Sequence, residues 1–431
     1  MTRYPLLAAL AIWIAAPPAT DTFSRSFEIV DQAEVVATLR AACPRCDWGE
    51  AGREAAALRL SVDGRYSQHL LLTGGVRPYR VALGAFGAGR HQLTIDRDPD
   101  LSAPGAGAAS IQGVDVAVIT RTSDEFVAQS IAPILYARAN TLGRFTDLPL
   151  LMWYEIVRTP RGRQFRYSVI FSNEDGGTPT DRLMATWGRA TDIEFVYGAE
   201  VDDAGHVLAE EFQGPGHEVP PFTGRHEAAH PLLWVSTDNN MVSESGTTRV
   251  RYAPAPERFD LTDVSREAVM DAHPWIYDVM ARELRREGKL ADDPPAGAGM
   301  IPDPRRFVYV EACGTVGSAA LAFAVNVGRA SWIPSDRGLP QFRIVRDGCF
   351  RAAIPLPVAT QPRDVRALRV RAYERPPSDG TPPPAGPVRV TRINKLFMLN
   401  DRFEPQLPLL EWRGSAVLAA GGEGLEISVQ R

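Results

Sequence analysis

The sequence has few lysines, and this shortage narrows the range of partners it can bind. Lys289 and Lys395 are the only lysines, and no run of basic residues occurs in the chain. Binding to a phosphate backbone needs clustered Lys and Arg, so a nucleic-acid partner is not expected. The far more numerous arginines indicate genome composition rather than an arginine-based site.

Long apolar runs are also scarce, and the only candidate lies at the start of the chain. Arg3 precedes a short apolar stretch from Leu6 to Ala16, which is followed by small residues and prolines. A membrane span needs ~20 apolar residues. Residues 1–20 are therefore predicted to be a secretory signal peptide cleaved between Ala16 and Thr20, with an uncleaved anchor as the alternative. No later segment is long and apolar enough to span a membrane, so a secreted or periplasmic protein is expected.

Cysteine is rare too, with four residues in two neighbourhoods. Export permits disulfides, and the simplest pairing joins Cys43 to Cys46 and Cys313 to Cys349. The C-x-x-C at Cys43 could instead be redox-active. Its surroundings, however, lead into a hairpin pattern and do not open a helix within a βαβ unit, as a thioredoxin-like motif does.

What the sequence does contain is alternation of apolar and polar residues, typical of a mainly β protein with several domains. The stretch around Asp63-Gly64 is a strong hairpin pattern. The segment "GAGRHQLTI" resembles the strand–turn–strand of jelly-roll and galactose-binding-like sandwiches, which implies a fold and no activity. We expect jelly-roll or β-sandwich units with a short helical insertion. The predicted divisions are an N-terminal sandwich (27–122), a central β-rich domain (123–255), a helical segment and linker (256–300) and a C-terminal sandwich (301–431).

Two segments predict helix. The periodic stretch from Asp260 to Gly288 has a helical pattern, which His273-Pro274 is expected to break into two helices. "VATLRAAC", residues 36–43, also predicts a short helix.

Residues His226 to His230 spell H-E-x-x-H, the zinc-peptidase signature. That chemistry needs both histidines on one helix face, Glu227 as general base and a third ligand downstream. Pro231 removes a helical N–H and disfavours the α region at His230. We therefore predict that this segment is not a continuous helix with converging imidazoles.

A polar cluster nevertheless surrounds this motif in the sequence. Two carboxylates share one face of a predicted strand, and three histidines follow in loops and strand ends, where β scaffolds carry their sites. A chance grouping of exposed polar residues is the competing explanation. A glycosidase pair fits less well, because the two carboxylates lie on one side instead of flanking a bond. The candidate site cluster is Asp192, Glu194, His217, His226, Glu227 and His230.

Two metals are considered as cofactors. Zinc would use His226 and His230 in a geometry other than that of the zinc peptidases. Calcium prefers oxygen ligands, which Asn173, Asp175 and Asp181 could supply, although these residue types are also common in turns.

The sequence contains no nucleophile elbow, Walker A motif or dinucleotide fingerprint. The hypothesis is therefore a non-catalytic protein that binds carbohydrate or another cell-envelope ligand, with Trp48, Trp153 and Trp187 as exposed stacking platforms. The alternative is a metal-assisted hydrolase that uses the histidine cluster.

Overall fold

The computed structural model describes residues 22–121, 123–174, 176–328, 331–375 and 385–430. The predicted signal peptide (1–20) and the candidate calcium ligand Asp175 lie outside these residues. Within them the chain forms 25 β-strands in several mainly antiparallel sheets and four short α-helices, so the prediction of a mainly β fold with sandwich units is confirmed. No helix in this part of the chain is both long and apolar enough to cross a membrane.

The first seven strands form two antiparallel sheets that share one apolar core. The outer sheet has the order β1-β6-β3-β4 and the inner sheet has the order β5-β2-β7. Leu39, Leu60 and Ile95 are among the buried side chains between them. The strands are β1 (Thr22–Ile29), β2 (Ala33–Ala42), β3 (Ala56–Val62), β4 (Arg65–Leu72), β5 (Arg77–Phe86), β6 (Gly89–Asp98) and β7 (Ser110–Ile119).

Residues 36–43 are not helical, so that prediction is wrong. Residues 36–42 belong to β2, the middle strand of the inner sheet. One face of β2 packs into the sandwich core, and Val36 on the other face contacts apolar side chains of the next sheet. Three of the eight residues from 36 to 43 are alanine, which has the highest intrinsic helix propensity, and packing between two layers overrides that propensity here.

The central part of the chain adds two more sheets to the stack. Leu232 and Trp234 pack toward β2, whereas Leu233 and Val235 pack toward the next sheet. The smaller sheet, of order β13-β14-β8-β16 with β15 beside β14, thus lies between the inner sheet and one of order β12-β11-β10-β9-β17. The elements are α1 (Asp124–Ser130), β8 (Ile134–Tyr136), β9 (Pro149–Thr159), β10 (Gly162–Phe171), α2 (Thr180–Trp187), β11 (Asp192–Val201), β12 (Val207–Phe212), β13 (His226–Glu227), β14 (His230–Val235), β15 (Val242–Ser243), β16 (Arg251–Tyr252) and β17 (Glu257–Arg258).

Two helices follow, and the predicted break between them is confirmed. The first, α3, spans Ala268–Ala272 and the second, α4, spans Trp275–Arg286, with His273-Pro274 between them. Gly288 has φ +68° just after α4, a conformation that glycine adopts at little cost. Helices α2, α3 and α4 pack between the sheet that contains β9, β10 and β11 and the C-terminal strands.

The C-terminal strands form two four-stranded antiparallel sheets around a separate core. Their orders are β21-β18-β23-β24 and β20-β19-β22-β25. The strands are β18 (Phe307–Thr315), β19 (Ala319–Val327), β20 (Ser331–Pro334), β21 (Gly348–Pro355), β22 (Val365–Glu374), β23 (Val388–Met398), β24 (Leu410–Leu418) and β25 (Leu425–Ser428). The domain boundaries proposed from the sequence stay predictions.

Both predicted disulfides are present. Cys313 in β18 lies directly opposite Cys349 in β21, with their Cα atoms 4.0 Å apart. Cys43 pairs with Cys46 in the loop after β2. In this structure the two cysteines of the C-x-x-C therefore form a disulfide within a loop.

Candidate functional site

The H-E-x-x-H segment forms a tight β-hairpin, which confirms that it is not a helix. His226 and Glu227 form β13, Ala228-Ala229 make the turn, and His230 begins β14. Ala228 has φ +53°, the left-handed conformation that two-residue hairpin turns require. Pro231 therefore lies in a strand, where its missing N–H does not interrupt a helix.

The hairpin register separates the two imidazoles. Glu227 lies opposite His230, and His226 lies opposite Pro231. Because side chains alternate along a strand, His226 points away from the face that carries Glu227. His226 Nε2 contacts Glu210 Oε1 at 2.8 Å, whereas His230 Nδ1 contacts the Ala132 carbonyl oxygen at 2.9 Å.

Asp192 is a buried structural carboxyl with 1% of its surface exposed. Asn240 Nδ2 donates a hydrogen bond to Asp192 Oδ2 at 2.9 Å, and Arg189 lies 3.8 Å from the other oxygen. Burial, reinforced by the negative charge of Glu194, raises the pKa of Asp192 to about 7. No ligand can reach this carboxyl without a rearrangement.

Glu194 lies beside Asp192 on β11, as predicted, and is linked to His217. Gln213 Nε2 donates to Glu194 Oε2 at 2.6 Å and lies 3.3 Å from His217 Nδ1. Burial also raises the pKa of Glu194 and of Glu174, so three neighbouring carboxyl groups favour the protonated form more than usual.

The six predicted residues thus belong to three neighbourhoods instead of one site. Asn240, the partner of Asp192, lies in the turn beyond the end of β14, whereas His230 begins that strand. Five steps of strand at about 3.3 Å each separate the two ends by roughly 16 Å. Asp192, Glu194 and His217 form one neighbourhood, Glu227 and His230 a second, and His226 with Glu210 a third.

The described residues provide no set of side chains that could bind the zinc or calcium considered from the sequence. Within the described ranges, no group of three or more His, Cys, Asp or Glu side chains is arranged to hold a metal ion. Asp181 Oδ2 accepts a hydrogen bond from the Gly297 N–H at 2.7 Å, and Asn173 Nδ2 donates to Glu287 Oε1 at 2.9 Å. Both candidate calcium ligands that the structure describes thus have partners within the protein.

The expectation that Trp48 and Trp153 are exposed is wrong. Both side chains are fully buried, Trp48 in the N-terminal core and Trp153 between β9 and the helices. Large aromatic rings contribute most when removed from water, which explains their place in these cores. Trp187 is half-buried, and the Arg346 guanidinium covers its ring with the Arg346 Cζ 3.5 Å from the ring centroid.

A large cavity lies where the N-terminal sandwich meets the β13–β14 hairpin. We name it the His230 cleft. Its volume is about 560 Å³, within the range of small-molecule sites. Residues from β3 to β6, residues 132–134, the hairpin and residues 251–254 form its walls. Glu227 and His230 are the two members of the predicted cluster that line it.

The His230 side chain lines this cleft, and one of its ring nitrogens is buried in the wall without a hydrogen-bond partner. Its side chain is 5% exposed, and its Nε2 has no hydrogen-bond partner although Glu34 Oε2 lies 3.4 Å away. Nδ1 is already engaged by the Ala132 carbonyl oxygen. A buried polar atom without a partner is uncommon and calls for an explanation, such as a ligand.

Another stretch of the cleft wall is aromatic. Phe86 lines the wall, and its ring centroid lies 5.1 Å from that of His91. His91 is held by Asp63 Oδ2 at 2.7 Å and by the Gly87 carbonyl oxygen at 3.0 Å. The hydrogen bond to Asp63 raises the pKa of His91. This stretch of wall combines a half-buried ring with a fixed, polar imidazole.

A charged pair forms the rim near the hairpin. Arg251 binds both oxygens of Glu227, Nη1 to Oε2 at 2.5 Å and Nη2 to Oε1 at 3.1 Å. The Arg251 backbone N–H donates to the Tyr66 hydroxyl at 3.2 Å. The two-point geometry holds both charged side chains in place without a ligand.

Sequence reasoning did not identify several residues of this cleft. Tyr66, Phe86 and Arg251 come from separate parts of the chain, and Glu34 lies behind the wall on β2. The only local hint was the cluster of glycines around Phe86, where Gly84 has φ +99° and Gly89 has φ +147°.

No protein-family model matches the sequence, and no curated protein matches it. Solved structures match at low similarity. The C-terminal domain of EclA, a sugar-binding protein, shares 18% identity over 26% of this chain and 89% of its own, with a TM-score of 0.16. A family two carbohydrate esterase from Clostridium thermocellum, solved with cellohexaose, shares 12% identity over 28% of this chain and 31% of its own, also with a TM-score of 0.16.

Another match is to tandem CBM51 modules of a family 98 glycoside hydrolase from Streptococcus pneumoniae. It covers 81% of this chain and 76% of that one at 9% identity, with a TM-score of 0.16.

Proposed function

We propose that the protein is an exported, non-catalytic binding protein whose ligand, a glycan or another polar cell-envelope molecule, occupies the His230 cleft. The observation that carries the proposal is the buried His230 Nε2, which lacks a hydrogen-bond partner beside a cavity of about 560 Å³. A ligand hydroxyl that donates to this nitrogen would give it the hydrogen-bond partner that it lacks, once the wall side chains move aside to uncover the buried atom.

The other walls support a sugar-like ligand. A pyranose has faces of apolar C–H groups and a rim of hydroxyls, so it needs an aromatic surface together with fixed donors and acceptors. Phe86 supplies the ring, and the Glu227–Arg251 pair supplies carboxylate oxygens and N–H groups at the rim. Of the predicted cluster, the proposal retains Glu227 and His230 as ligand contacts.

Isothermal titration of the purified protein with a panel of neutral and acidic mono- and oligosaccharides tests the proposal. Binding of at least one sugar is expected, weakened about tenfold or more in His230→Gln, because losing a buried hydrogen bond costs ~1–3 kcal/mol. Phe86→Ala is expected to weaken the same ligand.

The matched control is His206→Gln. His206 is exposed and contacts only Asp202 in a distant turn, so its replacement should leave sugar affinity unchanged. If no sugar binds, or if His230→Gln and Phe86→Ala bind the ligand as tightly as the unchanged protein, the cleft is not the site.

Export is the second part of the proposal. The two disulfides support it, because such bonds persist in oxidising compartments. Expression of the full chain in a bacterium, followed by amino-terminal sequencing, should give a mature protein that begins between residues 17 and 21. Recovery of the intact chain in the cytoplasm would contradict export.

A further inference from the structure

A second cavity lies on the other side of the segment that borders the His230 cleft. Ala253 and Pro254 line both cavities. We name the second the Arg77 cleft. Its volume is about 250 Å³, and it is enclosed by β4, β5, the start of β9, residues 252–257 and the junction between α3 and α4. Most of its wall is apolar, with Leu70, Val81 and Leu150 among the lining side chains.

Arg77 lies in this apolar wall, where its guanidinium contacts two aromatic rings. Its Cζ lies 3.8 Å from the ring centroid of Trp275 and 4.5 Å from that of Tyr79. Its Nε is buried and has no hydrogen-bond partner, and no carboxylate of the described residues forms an ion pair with it. Burial lowers the pKa of Arg77, the direction expected for a desolvated cation.

The other cationic side chains that line the Arg77 cleft already have carboxylate partners. Glu257 binds His273 Nε2 at 3.0 Å through one oxygen and lies 3.6 Å from Arg80 Nη1 through the other. Asp278 influences Arg77 only at longer range, and both its oxygens contact Arg282 Nε, at 2.8 and 2.9 Å. Arg77 therefore brings one positive charge to the cleft for which the protein supplies no anion.

Two aromatic rings compensate part of the desolvation of this guanidinium, and the Tyr79 side chain also interacts with it, but its Nε–H is left without an acceptor. A carboxylate suits such a group, because its two oxygens match the fork of the guanidinium. The apolar wall would then accept the rest of the ligand. A single unmatched charge favours a monoanion over a phosphate or a polyanion.

We propose that the Arg77 cleft binds a small organic monocarboxylate, whose carboxylate pairs with Arg77 and whose apolar body packs against the surrounding side chains. This site is separate from the His230 cleft and does not depend on the glycan proposal.

Titration calorimetry with benzoate and hexanoate, each beside its uncharged amide, tests the site in the full-length protein. Both carboxylates should bind, and benzamide and hexanamide should bind at least about tenfold more weakly, since they lack the charge-assisted contact. Arg77→Gln should weaken the carboxylates by about 10- to 100-fold and leave the amides within about twofold. Arg77→Lys should give an intermediate affinity, because it keeps the charge without the fork.

Arg369→Gln is the matched control. Arg369 also stacks on a tryptophan, with its Cζ 3.8 Å from the ring centroid of Trp332, but it is paired with Glu426 at 2.9 Å in the C-terminal sandwich. Its replacement should leave carboxylate binding unchanged.

The proposal is overturned if neither carboxylate binds, if each amide binds as well as its carboxylate, or if Arg77→Gln retains the affinity. Should Arg77→Gln fail to fold, the preference of the unchanged protein for carboxylate over amide and the affinity of Arg77→Lys decide the question. An equal affinity of Arg77→Lys for each carboxylate and its amide would then reject the site.

Discussion

His230 and Glu34 form a buried pair at the back of the His230 cleft, with 3.4 Å between His230 Nε2 and Glu34 Oε2. Their side chains are 5% and 6% exposed and come from strands of two different sheets. The pair therefore joins the inner sheet of the N-terminal sandwich to the hairpin that carries the predicted site residues.

A double-mutant cycle should show that the Glu34 and His230 side chains contribute to stability in an energetically coupled way. Glu34→Gln and His230→Gln are each expected to lower the free energy of unfolding by about 1–3 kcal/mol, because each disturbs a buried polar group. The double variant should lose less than the sum of the two, by roughly 0.5–3 kcal/mol. Urea unfolding measures all three. Losses that simply add would show that the two side chains do not interact.

The stability of the protein should fall as the pH rises toward 8, in part because of Asp192. Its folded pKa of about 7 lies above the ordinary aspartate value of 3.8, so the folded state holds a proton that the unfolded chain has already released. The stabilisation is complete below the unfolded pKa and is lost as the pH rises through about 7. Asp192→Asn, which stays neutral, should flatten the dependence of the free energy of unfolding between about pH 5 and about pH 8.

Asp260→Asn provides the comparison for this experiment. Asp260 is an exposed carboxylate whose pKa is lowered, mainly by a hydrogen bond from the Thr262 hydroxyl. Its contribution changes only at lower pH, so this variant should keep the slope of the unchanged protein between about pH 5 and about pH 8. An equal slope in Asp192→Asn would contradict the raised pKa.

The two disulfides should differ in their contribution to stability. Cys313 and Cys349 are 36 positions apart, and Cys43 and Cys46 are 3 apart. The loss of chain entropy in the unfolded state gives roughly 4 kcal/mol for the longer loop and about 2 kcal/mol for the shorter one. Denaturant unfolding of the two paired Cys→Ala variants measures the difference. The opposite order would show that native-state effects outweigh loop length.

Arg351 is the centre of a buried charge network between α3 and the C-terminal sandwich. It contacts Asp271 Oδ2 at 2.5 Å, Tyr277 Oη at 2.7 Å and Glu311, and its side chain is fully buried. Arg351→Met leaves buried carboxylates with fewer partners and should cost about 3–5 kcal/mol. Thermal and urea unfolding measure this loss.

The surface variant Arg369→Met is the control for this prediction. Its partner Glu426 is half exposed, and surface pairs contribute ~0–1 kcal/mol. A loss in Arg351→Met as small as that of Arg369→Met would show that the apolar neighbours replace the network.

Local patterns in the sequence determined the class of the fold and several of its details. Alternation of apolar and polar residues predicts strands wherever one face of a sheet meets water. The hairpin at Asp63-Gly64, the helix break at His273-Pro274 and the strand character of His230 all depend on the backbone preferences of a few adjacent residues. Cysteine spacing indicated both disulfides for the same reason, since each pair lies within one neighbourhood of the chain.

Tertiary structure alone decided which surfaces are covered and which side chains meet. The stacking of sheets buries both faces of β2, Trp48 and Trp153, and no sequence window contains the partner layers that do so. The same stacking separates Asp192 from His230 by the length of β14, although both lie in one polar stretch of sequence. It also brings Tyr66, Phe86 and Arg251 to the His230 cleft and sets Trp275 against Arg77. These contacts join residues far apart in the chain, and their geometry follows from the packing of whole sheets, which no local backbone preference encodes.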